Sequence, residues 1–222
     1  MRHDVVVFLG PSLERKTAEA LIGSCILPPA RRGDVTDAVA SGARIITLID
    51  GVFFQDNAVG HREILDALAQ GVRVIGSSSM GALRAAELDT LGMEGVGTVY
   101  ALYRDGVLVS DDEVALVFDP ASGVALSEPL VNIRCTLKKA VKERVISPEE
   151  AAVALDAAAS LYFPDRSWEQ VIETAALSLP PPVIRDLAAF IRCSAVDQKR
   201  DDALAALHRT RELAVELGLM NG

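Results

Sequence analysis

Short apolar runs alternate with helical patterns through the first ninety residues. Val5 to Leu9 is an unbroken apolar run closed by Gly10-Pro11-Ser12, and Leu13 to Ile22 has helical composition. Leu27 to Asp34 is punctuated by prolines and a glycine and reads as a loop. Asp34 is placed to N-cap a helix over Val35 to Ser41. Arg44 to Ile49 reads as a second buried strand, ending in Asp50-Gly51. Ala58 to Gln70 is helical, with Ile64, Leu65 and Leu68 on one side. Val72 to Ile75 is a third strand; it runs into Gly76 and three serines, then into a helix over Ala82 to Leu88. Strand and helix in alternation predict an α/β fold, with a short parallel sheet flanked by helices. Such sheets bind ligands at the carboxyl ends of their strands. The three strand ends carry Gly10-Pro11-Ser12, Asp50-Gly51-Val52 and Gly76-Ser77-Ser78-Ser79.

Beyond residue 90 the pattern turns helical. Gly92 to Gly97 is a glycine-rich turn, and Val99 to Val109 reads as a helix followed by a turn at Asp105-Gly106. Val114 to Phe118 reads as a strand and Pro129 to Glu143 as a helix. Ser147-Pro148-Glu149-Glu150 is a helix start, with Ser as N-cap, Pro at the first position and Glu at the third. Helical pattern then continues to the end. It breaks at Phe163-Pro164-Asp165, at Leu179 to Pro182 and near Cys193, with Gly218 as a stop. The expected organisation is an α/β core over residues 1–143 and an all-helical C-terminal part over residues 144–222 packing on it.

Half the residues are hydrophobic but only 5% are aromatic, so the core must be mostly Ala, Val, Leu and Ile. A net charge of −9 argues against binding nucleic acid or an anionic membrane through charge alone. The N-terminal apolar stretch is too short for a signal peptide, and no uncharged apolar run is long enough to span a membrane. Cys25, Cys135 and Cys193 are far apart, as expected of free thiols in a reducing cytoplasm. The cysteines and histidines lack metal-ligand spacing, and neither a P-loop nor a GxGxxG motif is present. No metal or cofactor is expected.

The serine turn is the strongest candidate for chemistry. A hydroxyl there lies beside the unpaired N–H groups that open the next helix, which can hold an anion. Three roles compete: helix caps, a nucleophile with a backbone oxyanion site, and a phosphate cradle. Against the G-x-S-x-G elbow, Gly76-Ser77-Ser78-Ser79-Met80 has Met80 at the second glycine. A nucleophilic serine needs a base. His61 is one candidate, although a lone histidine beside Glu63 also reads as a surface or capping residue. Lys199 is another, although its alternating charge cluster also reads as a solvated helix face. Asp50 and Ser12 at strand ends, Arg84 three residues before Glu87, and the compact basic pair Arg31-Arg32 are candidates for substrate binding with His61.

Several long segments together resemble the TfuA-like family. They are VFLGPSL at 7–13, LPPARRGDV at 27–35, LIDGVF at 48–53, HREIL at 61–65 and GSSSMGALRAAEL at 76–88. GMEGVG at 92–97, DDEVAL at 111–116, SEPLVNIRCTL at 127–137 and DQKRDDAL at 197–204 complete the set. The likeness is dense over roughly the first 140 residues; the tail matches mainly at DQKR.

The resemblance implies a partner of YcaO enzymes, which use ATP to replace a peptide oxygen by sulfur. It implies hydrolysis of the thiocarboxylate of a small ThiS-like carrier protein, supply of sulfide, and help for YcaO in engaging its peptide. It also implies a Ser–Lys pair. Position by position, this gives Ser78 at the turn's apex as nucleophile, Ser79 as cap or oxyanion donor, and Lys199 of the matching DQKR as base. Where some relatives have His-Lys-Glu, this chain has His61-Arg62-Glu63, and a guanidinium is no base near neutral pH. A free lysine titrates near 10.4, so burial would have to lower it by about three units. Two alternatives stay open: a non-catalytic adaptor that docks carrier and YcaO, and an anion- or nucleotide-binding domain.

Overall fold

The computed structural model describes residues 4–53, 57–120 and 122–220; His3, one of the three histidines of the sequence, lies outside them. The chain forms two compact units, Met1–Asp111 with Lys199–Gly222, and Asp112–Gln198.

In the first unit, every strand is short and buried or half-buried. The strands are β1 (Val5–Phe8), β2 (Cys25–Leu27), β3 (Ile45–Leu48), β4 (Arg73–Ser77) and β5 (Glu94–Val96). They pair in parallel in the order β2-β1-β3-β4-β5, with Val7 opposite Ile26 and Thr47, and Ile75 opposite Thr47 and Glu94. The connecting helices are α1 (Arg15–Ile22), α2 (Asp34–Ala40), α3 (His61–Ala69), α4 (Met80–Leu88) and α5 (Thr98–Arg104). Both faces of a parallel sheet must be covered, and the strands accordingly read as continuous apolar runs.

The period-two alternation sorts those runs. Val6, Phe8, Ile46, Leu48 and Val74 pack with Val35 and Ala38 of α2, Ile64 and Ala67 of α3, and Ala85 and Leu88 of α4. Val5, Val7, Ile45 and Ile75 pack the opposite way, against Ala18 and Ile22 of α1. Their other cover is the last helix of the chain, which brings Ala203, Ala206, Leu207, Leu213 and Ala214.

The second unit is helical: α6 (Leu130–Lys142), α7 (Pro148–Ser160), α8 (Trp168–Ala175) and α9 (Pro181–Ser194). Its core joins Ile133, Leu137, Ala154, Val171, Leu187 and Ile191. Ser147 and Glu150 form the expected capping box of α7. Arg166 is fully buried; its guanidinium donates to the carbonyls of Ala158 and Leu161 and to the Asp112 carboxylate at 2.7 Å. The last helix is α10 (Gln198–Glu216), separated from α9 as the break near Cys193 anticipated.

The sheet sits on α10 through polar ties as well as apolar ones. Thr210 donates to the Ala206 carbonyl, so the 2.7 Å contact between the Thr47 and Thr210 hydroxyls has Thr47 as donor. Arg209 forks onto the Glu94 carboxylate of β5, and that hydrogen bond raises its pKa further.

Several expectations need correction. Two strands are additional, β2 and β5: one is three residues before a proline, the other a glycine-centred edge strand, and neither carries an apolar run long enough to stand out. Val114 to Phe118 is not a strand; it follows a 3-10 turn at Asp111–Glu113, and Phe118 makes only an isolated antiparallel bridge with Ala125. The N-cap of α2 is Gly33, and Asp34 is its first residue, with its carboxylate on the Arg31 N–H. The compact units divide at 111/112 and 198/199, because α10 rejoins the sheet. Among the described residues, no helix is long and apolar enough to cross a membrane.

α4 lies so close to β3 that a Cβ on Gly81 would fall 1.8 Å from the Leu48 carbonyl oxygen. The roughly 1 kcal/mol that alanine normally gains over glycine inside a helix is outweighed here by overpacking against backbone. Gly81→Ala is predicted to lower stability by about 3 kcal/mol, read as a reduced urea midpoint; a midpoint matching the parent's would contradict this packing.

Candidate functional site

β4 ends in Gly76-Ser77, and α4 begins at Met80, so Ser78 and Ser79 make the whole turn. Ser78 holds φ at +65°, one of two non-glycine residues with positive φ among those described. An L-residue there costs roughly 1–2 kcal/mol. The turn is tight because helix and strand touch: a Cβ on Gly76 would fall 2.2 Å from the Gly81 carbonyl oxygen. The Ser79 N–H closes the turn on the Ser77 carbonyl at 2.7 Å. A strained residue between a strand end and a helix start is where a nucleophile elbow places its serine.

All three serines are buried. The single proton of the Ser77 hydroxyl is shared between the carbonyls of Val96 at 2.7 Å and Asp202 at 3.0 Å. The Ser78 hydroxyl donates to the Lys199 carbonyl at 2.8 Å. Ser79 occupies the N-cap position of α4 without a capping hydrogen bond from its side chain. Lys199 is 2% exposed, on the first turn of α10. The sheet tip and Lys199 therefore meet within the first unit, across 121 residues of sequence.

Asp50 and Ser12 also meet, but chiefly each other. One Asp50 oxygen accepts from the Ser12 hydroxyl at 2.6 Å, and the other from the N–H groups of Gly10 and Ser12. These residues stand at the ends of β1 and β3, where the strand order switches direction. The carboxylate there braces the loop after β1.

His61, Arg84 and Arg32 share an open groove of about 580 Å³, with Phe53, Met80 and Val109 among its walls. His61 Nε2 lies 2.8 Å from Glu87, which also accepts from Arg84 at 2.6 Å as the three-residue spacing suggested. Arg84 donates in addition to the Val59 carbonyl. His61 is half exposed and linked to Glu87, while Ser77 and Ser78 donate to carbonyls of other residues. Arg31 lines a separate groove beside β2, with Pro29 and Asp34. Neighbours in sequence, Arg31 and Arg32 thus face different cavities.

Sequence reasoning passed over Asp202 and Gly97. Asp202 lies one helical turn after Lys199, a spacing that marks one face of α10, and its carboxylate accepts from the N–H groups of Thr98 and Val99. Among the described residues, no group of three or more His, Cys, Asp or Glu side chains could hold a metal ion.

A search of curated proteins finds no match to the chain. A family model described as TfuA-like protein matches residues 50–167, more than half of the 222 residues, from Asp50 through the serine turn and α7. The chain belongs to the TfuA-like family.

Proposed function

We propose that this protein is a Ser–Lys hydrolase that cleaves the C-terminal thiocarboxylate of a ThiS-like carrier protein. It delivers sulfide to a YcaO partner for peptide thioamidation and helps that partner engage its peptide. Family membership supports the setting. The observation that carries the chemistry is the meeting of Ser78, strained at the tip of β4, with the first turn of α10, where Lys199 is buried.

Neutral Lys199 takes the Ser78 proton as Oγ attacks the thiocarboxylate carbon. For this the hydroxyl rotates about χ1 away from the Lys199 carbonyl, its acceptor in the resting geometry. The tetrahedral anion needs backbone donors. Of the N–H groups at the start of α4, that of Ser79 is engaged by Ser77 and that of Gly81 by Ile49 at 3.3 Å. Met80 N–H is then the candidate donor. As the C–S bond breaks, Lys199 passes that proton to sulfur and hydrosulfide leaves; neutral again, it takes a proton from the water that hydrolyses the Ser78 ester and returns it to Ser78 Oγ, giving the carrier carboxylic acid, which ionises.

A second reading, a non-catalytic adaptor, draws on the burial of all three hydroxyls and their hydrogen bonds to carbonyls. In it the serine turn is only a latch. A sulfide-release assay with thiocarboxylated carrier, with and without YcaO, separates the two. The hydrolase reading predicts that Ser78→Ala and Lys199→Ala each lower release by about a thousandfold, and that Lys199→Arg does not restore it because arginine stays protonated. Wild-type rates in both alanine variants would end the proposal; binding of carrier and YcaO with no sulfide from the purified protein would favour the adaptor.

The positive φ yields a further expectation. Ser78→Gly removes the backbone strain that Ser78→Ala keeps, so the glycine variant should be more stable by about 1 kcal/mol while equally inactive. Equal unfolding midpoints would contradict the strained geometry.

A further inference from the structure

Asp202 grips two elements at once. Its carboxylate, buried with the residue at 3% exposure, accepts from the Thr98 N–H at 3.0 Å and the Val99 N–H at 2.7 Å, the first turn of α5. Gly97, at φ +99°, makes room for it: a Cβ there would lie 2.4 Å from the Asp202 carboxyl carbon. The Asp202 backbone carbonyl, meanwhile, accepts from Ser77. Lys199 precedes it by three residues on the same buried face of α10, and the Lys199 carbonyl accepts from Ser78. Consecutive serines of one turn thus hold carbonyls one helical turn apart, and the Asp202 side chain ties that turn to α5.

We propose that Asp202 is the positioning residue that sets Lys199 on Ser78, by clamping the first turn of α10 between α5 and the serine turn; this rests on the Ser–Lys reading. One helical turn is stiff, so a shift at Asp202 carries to Lys199. A carboxylate accepting two N–H bonds is a strong, directional anchor, and a neutral amide in its place keeps only one acceptor oxygen. Proton transfer between Oγ and an amine depends steeply on separation, and a displacement of about 1 Å can cost about a hundredfold in rate.

The test uses the full-length protein with Asp202→Ala and Asp202→Asn, read by sulfide release and by amide hydrogen exchange. Asp202→Ala should lower kcat about a hundredfold with KM for the carrier unchanged, and Asp202→Asn should recover about tenfold of that loss through its remaining acceptor. Exchange in Asp202→Ala should rise together at Thr98 and Val99 and at residues 202–205 of α10, whose N–H groups bond to the carbonyls of 198–201. If Asp202→Ala does not fold, Gly97→Ala displaces the carboxylate from the other side and must give the same paired changes. Faster exchange at Thr98 and Val99 alone, or wild-type kcat per folded molecule, would overturn the clamp. Full sulfide release by Ser78→Ala would instead defeat the Ser–Lys reading, and the exchange pattern would still decide whether Asp202 clamps α10.

Discussion

The first turn of α10 is fastened to the tip of β4 by two serine hydroxyls. Ser78 reaches the Lys199 carbonyl and Ser77 reaches that of Asp202, across more than a hundred intervening residues. Both hydroxyls are buried, where an unpaired polar group costs about 1–3 kcal/mol, so these bonds also hold the register of α10 on the sheet. Thr47 on Thr210 and Arg209 on Glu94 extend the attachment along the helix. Because of this register, a lysine from the end of the chain lies buried beside a strained serine.

The crowding around the turn has the same origin. Gly81 lets α4 touch β3, and Gly76 lets it touch β4, so the connection has room for only two residues. One of them takes positive φ, and it is a serine rather than glycine. Glycine would remove the strain but would also remove the hydroxyl that bonds to the Lys199 carbonyl. The switch point between β1 and β3, the usual ligand crevice of such sheets, is occupied here by Asp50 and Ser12 binding one another and the Gly10 amide. The serine turn lies one strand further along.

The central strands and most helices were legible because a doubly covered parallel sheet writes long apolar runs, as at Val5 to Leu9 and Arg44 to Ile49. β2 and β5 escaped because edge strands of three residues leave no such run; Gly95 of β5 is instead covered by the Tyr100 ring. The serine turn was visible as strand, glycine and serines, and the family likeness to DQKR singled out Lys199. That the two meet could not be read from residue order, since it depends on α10 returning to the sheet. Asp202 was hidden for a related reason: amid alternating charges it resembles a solvated residue, and only tertiary packing shows it sealed against α5. Arg32, His61 and Arg84 do gather in one groove, whereas Arg31 faces another.

The central claim is that Ser78 is a nucleophile activated by Lys199. Its most direct test is to treat the protein with an activated acyl or fluorophosphonate probe and map the adduct by mass spectrometry. The account predicts a single adduct on Ser78, formed far more slowly in Lys199→Ala despite an intact fold. Labelling confined to Ser79 or another residue, or labelling of Ser78 at an unchanged rate without the lysine, would contradict it.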